Sequence, residues 1–133
     1  MGQDHLVAVV DDDESVRQAL EGLFRSVGLQ VAAFASAEDF LRSHHLRITG
    51  CLILDLRMPG MGGLELQQRL AGEGHRIPII ILTAHGDEEA RPRALGAGAV
   101  AFLRKPFDAE ALLSAVGAAL RNQGGAGRGT QSA

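Results

Sequence analysis

The chain has 133 residues, a formal net charge of −3, 46% hydrophobic residues and one cysteine. That length suits one domain able to bury its own core; the charge leaves no electrostatic footprint for nucleic acid, and Cys51 alone excludes an internal disulfide. No apolar run approaches the roughly 18 residues of a membrane span, and the N-terminus carries Asp4 without the basic start of a secretory signal. A cytoplasmic chain is expected, with no membrane or nucleic acid as partner. Trp and Tyr are absent and only five Phe are present, so the core is aliphatic. Cys51, in an apolar run, reads as a buried, inert thiol. Lys105 is the only lysine beside twelve arginines.

Leu6–Val10 is an apolar run of strand length, closed by Asp11, Asp12, Asp13 and Glu14. From Ser15 the period changes: Val16, Ala19, Leu20, Leu23, Phe24 and Val27 fall at helical spacing, and Gly28 ends that helix. A second strand covers 29–34. Ser36 with Asp39 has the form of a capping box opening a helix through Phe40 and Leu41. Residues 51–55 form a third strand, stopped by Pro59 and Gly60. A short amphipathic helix spans 63–70, and a fourth strand 77–83. Residues 87–96 read as a helix containing Pro92, which removes a backbone donor but is tolerated in a first turn. We expect that helix either to start late, near Pro92, or to be kinked there, and to be short or mobile. A fifth strand covers 100–103, and Asp108 caps a last helix through Leu112, Leu113, Val116 and Leu120. Strand and helix alternate five times, which implies an α/β fold with a parallel sheet, order 2-1-3-4-5, and helices on both faces. Residues 1–121 form the domain; the Gly-rich segment 122–133 reads as a flexible tail or linker.

In such a sheet, ligands bind at the carboxyl ends of the strands. Those ends carry Asp11 and Asp12, Asp55, Thr83 and Lys105. Clustered carboxylates repel one another, and burial increases the cost. A hard divalent cation resolves this: Mg²⁺ takes one or two carboxylates and leaves room for phosphate oxygens. Thr83 supplies a hydroxyl donor, and Lys105 a point charge for a phosphoryl group. The chemistry this set supports is phosphoryl transfer onto a carboxylate.

Four motifs stand in order: Val10-Asp11-Asp12, Leu54 to Gly63, Ile81-Leu82-Thr83-Ala84, and Phe102-Leu103-Arg104-Lys105-Pro106-Phe107. Over about residues 5–121 the chain resembles the receiver domain of two-component response regulators. Thr83-Ala84-His85-Gly86-Asp87 and Lys105-Pro106-Phe107 look most like the FixJ-type subgroup. The resemblance implies that Asp55 accepts a phosphoryl group from a sensor histidine kinase. Asp12, Asp55 and the backbone carbonyl of Arg57 would hold Mg²⁺, with Asp11 acting through a metal-bound water. Lys105 would pair with a phosphoryl oxygen and Thr83 would move to bond another, while Phe102 turns inward as the second switch residue. The Lys105–Pro106 bond is expected to be cis. Arg57 and His85 flank the phosphoryl group and are expected to set its lifetime. The fourth helix, fifth strand and fifth helix form the face where a partner protein or a second receiver binds. Two outputs are open: a DNA-binding domain beyond this chain, which the FixJ-type resemblance favours, or a single-domain protein that passes phosphoryl groups or binds partners.

Blander readings compete residue by residue. Asp13 and Glu14 suit an acidic helix start. Thr83 is equally an ordinary strand residue, and Phe102 a core aromatic. His5, His44, His45 and His75 lack metal-ligand spacing and read as surface or packing residues. Gly96-Ala-Gly98-Ala-Val-Ala101 matches a dinucleotide fingerprint but follows a helix and leads into a strand, the reverse of what that motif requires. Two other functions share the acidic cluster. An aspartyl-phosphate phosphatase carries a second acid two residues on, where this chain has Arg57, a poor proton donor. A receiver-like module that is never phosphorylated would not need Asp55, Thr83 and Lys105 together.

Overall fold

The structure, a computed structural model, describes the backbone of residues 6–84 and 87–132, and side chains as far as residue 121. Its strands are β1 (Leu6–Val10), β2 (Gln30–Phe34), β3 (Thr49–Leu54), β4 (Ile79–Thr83) and β5 (Ala101–Arg104). Its helices are α1 (Glu14–Ser26), α2 (Ala37–Arg42), α3 (Gly63–Gly72), α4 (Arg91–Gly96) and α5 (Ala109–Ser132). All pairings are parallel, in the order β2-β1-β3-β4-β5, as the alternation of elements requires.

The apolar runs have no polar alternation because both faces of the central strands are covered. Ala8, Val10, Leu52, Leu54 and Ile81 point to one side, against Phe40 of α2, Leu66 and Leu70 of α3 and Ala94 of α4. Their neighbours Val7, Val9, Cys51, Ile53, Ile80 and Leu82 point to the other, against Leu20 and Phe24 of α1 and Leu112 and Val116 of α5. Cys51 is fully buried, and burial pushes its thiol up to about 12, as expected of an inert cysteine.

Local signals end the helices where the spacing indicates. Asp13 caps α1, its side chain accepting from Ser15 N–H at 2.9 Å, so the helix-start reading holds for it. Ser36 caps α2 by accepting from Asp39 N–H at 3.0 Å. At the end of α1, Gly28 (φ +84°) donates to Arg25 O and Leu29 N–H to Phe24 O, each at 3.0 Å. That pair of bonds is the Schellman pattern, which needs a residue tolerant of positive φ. α4 ends the same way at Gly98 (φ +107°), which explains the second glycine of the rejected dinucleotide motif.

The strand ends shift by at most two residues from the sequence reading, most visibly in β3, which starts at Thr49 and stops at Leu54, one residue before Asp55; three further elements differ more. The residues 87–96 split into a three-residue 3₁₀ turn, Glu88–Ala90, and α4 proper, with Pro92 in its first turn. The late, short helix is thus as expected, and the helix start at residue 87 is not. A second 3₁₀ turn, His44–Ile48, was not legible; Ser43 caps it by accepting from His45 N–H at 2.9 Å. The backbone of α5 runs past Arg121 into the Gly-rich segment that composition assigns to a tail. Side chains there lie outside the described residues, and the boundary at 121 remains an expectation from composition.

Candidate functional site

Sheet bonding continues one residue past the strands and so positions the site. Asp11 N–H donates to Phe34 O at 3.1 Å, Asp55 N–H to Val10 O at 3.0 Å, and Lys105 N–H to Thr83 O at 2.8 Å. The ladders thereby carry Asp11, Asp55 and Lys105 to one edge. Carboxylate oxygens of Asp11, Asp12 and Asp55 lie within 4.8 Å of one another. Asp11 and Asp55 are buried and Asp12 is exposed, so the group opens to solvent on one side. Lys105 Nζ stands 2.8 Å from Asp11 Oδ2 and 3.5 Å from Asp55 Oδ2. The bond between Lys105 and Pro106 is cis, as expected.

The electrostatics follow from that packing. Burial, reinforced by the Asp11 charge, raises the Asp55 carboxyl above its ordinary value; the Lys105 ammonium and the Arg57 N–H work against this and do not cancel it. Burial works to lower Lys105, but Asp11 and Asp55 outweigh it and hold the ammonium above its ordinary value. Three carboxylates therefore face one firmly held positive charge. The excess negative charge and the all-oxygen donor set fit a hard divalent cation.

Close packing behind Asp55 depends on Gly63. A Cβ there would stand 2.4 Å from Asp55 O and 2.9 Å from Leu56 Cα, so the first turn of α3 reaches the end of β3 only with glycine at this position. The Met61-Gly62-Gly63 run was the visible signal, although its use in packing was not. Arg17, another residue not singled out, donates from Nη1 to Asp11 O at 2.8 Å and ties α1 to the end of β1.

The remaining site residues are arranged differently from expectation. Thr83 is fully buried at the end of β4, but its Oγ1 donates to Asp87 Oδ2 at 2.9 Å. The Arg57 side chain turns to the same carboxylate, its Nε donating to Asp87 Oδ1. Asp87 was quoted within a motif and given no role. Phe102 is 6% exposed, packed inward with the α4 side of the core, and Arg91 lies 5.8 Å from its ring centroid. The inward position of that ring is thus already taken while Thr83 faces Asp87. His85 lies outside the described residues, as does His5.

A five-stranded parallel sheet with acidic residues, a hydroxyl and one lysine gathered at its carboxyl edge matches a known class: residues 7–117 match the response regulator receiver domain, and the chain belongs to that family. It is 52% identical over 114 residues to nodulation protein W of Bradyrhizobium diazoefficiens, covering 86% of this chain and 50% of the relative. It is 42% identical over 122 residues to the transcriptional regulatory protein FixJ of Azorhizobium caulinodans, covering 92% of this chain and 58% of that protein. Among solved structures it is similar to the response regulator StyR, with TM-score 0.86, 45% identity and coverage of 96% of this chain and 64% of the other. The FixJ-N crystal structure gives TM-score 0.80 at 38% identity, covering 88% of this chain and 94% of that one. The chain spans about half the length of the curated relatives it matches. It is a receiver domain of the two-component type. Among the described residues, no helix is long and apolar enough to cross a membrane.

Proposed function

We propose that this receiver takes a phosphoryl group on Asp55 from a phosphohistidine of a sensor histidine kinase, and that the change is read by a partner or an output domain. The observation that carries this reading is the position of Lys105, 2.8 Å from Asp11 and 3.5 Å from Asp55, beside three convergent carboxylates. One Asp55 oxygen attacks phosphorus; the new O–P bond forms as the P–N bond to the donor imidazole breaks, and the imidazole leaves with a proton. Lys105 holds a phosphoryl oxygen, and Thr83 donates to another once it leaves Asp87. Mg²⁺ would be held by Asp12, Asp55 and the Arg57 carbonyl, with Asp11 through water; when bound it offsets the charge shared by the carboxylates and the phosphoryl oxygens.

Arg57 and His85 are proposed to govern the loss of the phosphoryl group to water. The α4, β5 and α5 face, where Leu95 and Val100 are exposed, is the proposed surface for a second receiver or an output domain. Relatives named as transcriptional regulators extend beyond the matched part, which supports a DNA-binding output domain outside this chain. The role is signalling rather than turnover of a substrate, because Arg57, committed to Asp87, stands where a phosphatase needs an acid.

Intact mass after incubation with Mg²⁺ and a small acyl phosphate tests the reading. One added phosphoryl group is expected, absent with chelator. No addition, with Mg²⁺ binding demonstrated separately, would favour the unphosphorylated binding module.

A further inference from the structure

Asp87 is buried and holds two of the residues assigned to the phosphoryl site. Its Oδ2 accepts the Thr83 hydroxyl at 2.9 Å, and its Oδ1 accepts from Arg57 Nε. A threonine hydroxyl has one proton to donate. While Asp87 takes it, no phosphoryl oxygen receives it. Arg57 is mostly exposed, at 73%, yet its guanidinium reaches back to this buried carboxylate instead of extending into solvent. A buried carboxylate requires such partners.

The backbone adds a second observation. Asp87 occupies the N-cap position of the 3₁₀ turn Glu88–Ala90, but its side chain makes no capping bond. Aspartate is favoured at such positions because its carboxylate satisfies free amides. Here the carboxylate is committed to Thr83 and Arg57 instead. Asp87 O also accepts from Ala90 N–H at 3.0 Å, directly before α4 begins. Asp87 therefore stands between the acceptor and the first turn of α4.

We propose that Asp87 is a positioning residue: its carboxylate retains the Thr83 hydroxyl and the Arg57 guanidinium in the unphosphorylated receiver, and a phosphoryl group on Asp55 must win Thr83 from it. This rests on the reading of Asp55 as acceptor. Release of Thr83 removes one of the two partners of Asp87, so the segment leading into α4 has to readjust. That couples occupancy of Asp55 to the start of α4 through one carboxylate.

The test is a double-mutant cycle on the full chain, with wild type, Asp87→Ala, Thr83→Val and the double variant. Each is loaded from acyl phosphate with Mg²⁺ and followed by intact mass. Asp87→Ala is expected to raise the rate of phosphoryl uptake by roughly threefold to tenfold, and to change nothing in the Thr83→Val background. An equal gain in both backgrounds, or no gain in either, overturns the proposal. Asp87→Asn, which keeps the shape, replaces Asp87→Ala in the same cycle if the alanine variant does not fold; a smaller gain in the same direction is then expected. Wild type that takes no phosphoryl group would overturn the acceptor reading itself, and the proposal with it. A wild type that takes it on Asp55 with no coupling between Asp87 and Thr83 would overturn the proposal alone.

Discussion

Lys105 Nζ lies nearer to Asp11, at 2.8 Å, than to Asp55, at 3.5 Å. The sole lysine of the chain is thus anchored by one carboxylate while facing the proposed acceptor. A flexible ammonium and a planar guanidinium differ here: an arginine would reach further and fork between the two carboxylates. Lys105→Arg is expected to keep the fold and lower phosphoryl uptake by at least about tenfold, the loss of roughly one charge-assisted contact. Uptake at the wild-type rate, read by intact mass, would remove Lys105 from the site.

Asp55 is costly to the fold. Its carboxyl is raised by burial and by Asp11, so the folded chain binds the proton more tightly than the unfolded chain does. Stability therefore falls as pH rises from the ordinary value of 3.8 through the raised one, and the full cost is present at neutral pH. Asp55→Asn is expected to stabilise the chain at pH 7 by about 1 kcal/mol, a few degrees in Tm. Mg²⁺ should raise the Tm of wild type and do so less in Asp55→Asn. Thermal melts with and without the ion measure both effects.

Asp87 has the opposite sign. Burial acts to raise its carboxyl, but Arg57 and Thr83 prevail and hold it below 3.8. Its contribution is present above pH 3.8 and is lost as pH falls through the lowered folded value. Arg57→Ala leaves this carboxylate with the Thr83 hydroxyl alone. Because Arg57 is largely exposed, a loss of about 1 kcal/mol at pH 7 is expected. Denaturant melts at neutral pH and below pH 3 measure it; the difference between the two chains should shrink at the lower pH.

Gly63→Ala is expected to destabilise by about 1–3 kcal/mol, because the added carbon meets backbone atoms that cannot swing aside. Gly72→Ala, in the same helix with nothing within 4 Å, provides the control and should be neutral or stabilising. Similar melting curves for the two variants would contradict the packing argument.

The short α4 yields a prediction in exchange. Only six residues follow the 3₁₀ turn, and Pro92 removes a donor in the first turn. Amides from Glu88 through Gly96 should exchange faster than those of α1. Protection there equal to that of α1 would show that this segment is as stable as the core.

The strands and the sheet order were readable because the central apolar runs β1, β3 and β4 are buried on both faces, and each run is bounded by a turn or a change of period. Asp11, Asp12, Asp55 and Lys105 were legible for a related reason: each follows such a run and has no apolar partner to explain it. Asp87 was not. An aspartate before two glutamates and a proline looks like a helix start, and only the folded position of Asp87 brings it against Thr83 and Arg57. The turn His44–Ile48 was hidden in the same way, since a 3₁₀ segment this short has no periodicity to read. The reading of Arg57 as a neighbour of the phosphoryl group missed that its side chain has a buried anion within reach.

The most direct test of Asp55 as acceptor is chemical. Borohydride reduces an aspartyl phosphate to homoserine, which peptide sequencing by mass spectrometry then locates. The chain is loaded with acyl phosphate and Mg²⁺, reduced, and digested. The account predicts homoserine at position 55 and nowhere else, and none after treatment with chelator. Homoserine at position 11 or 12 instead, or no homoserine in a chain whose Mg²⁺ binding has been demonstrated, would contradict it.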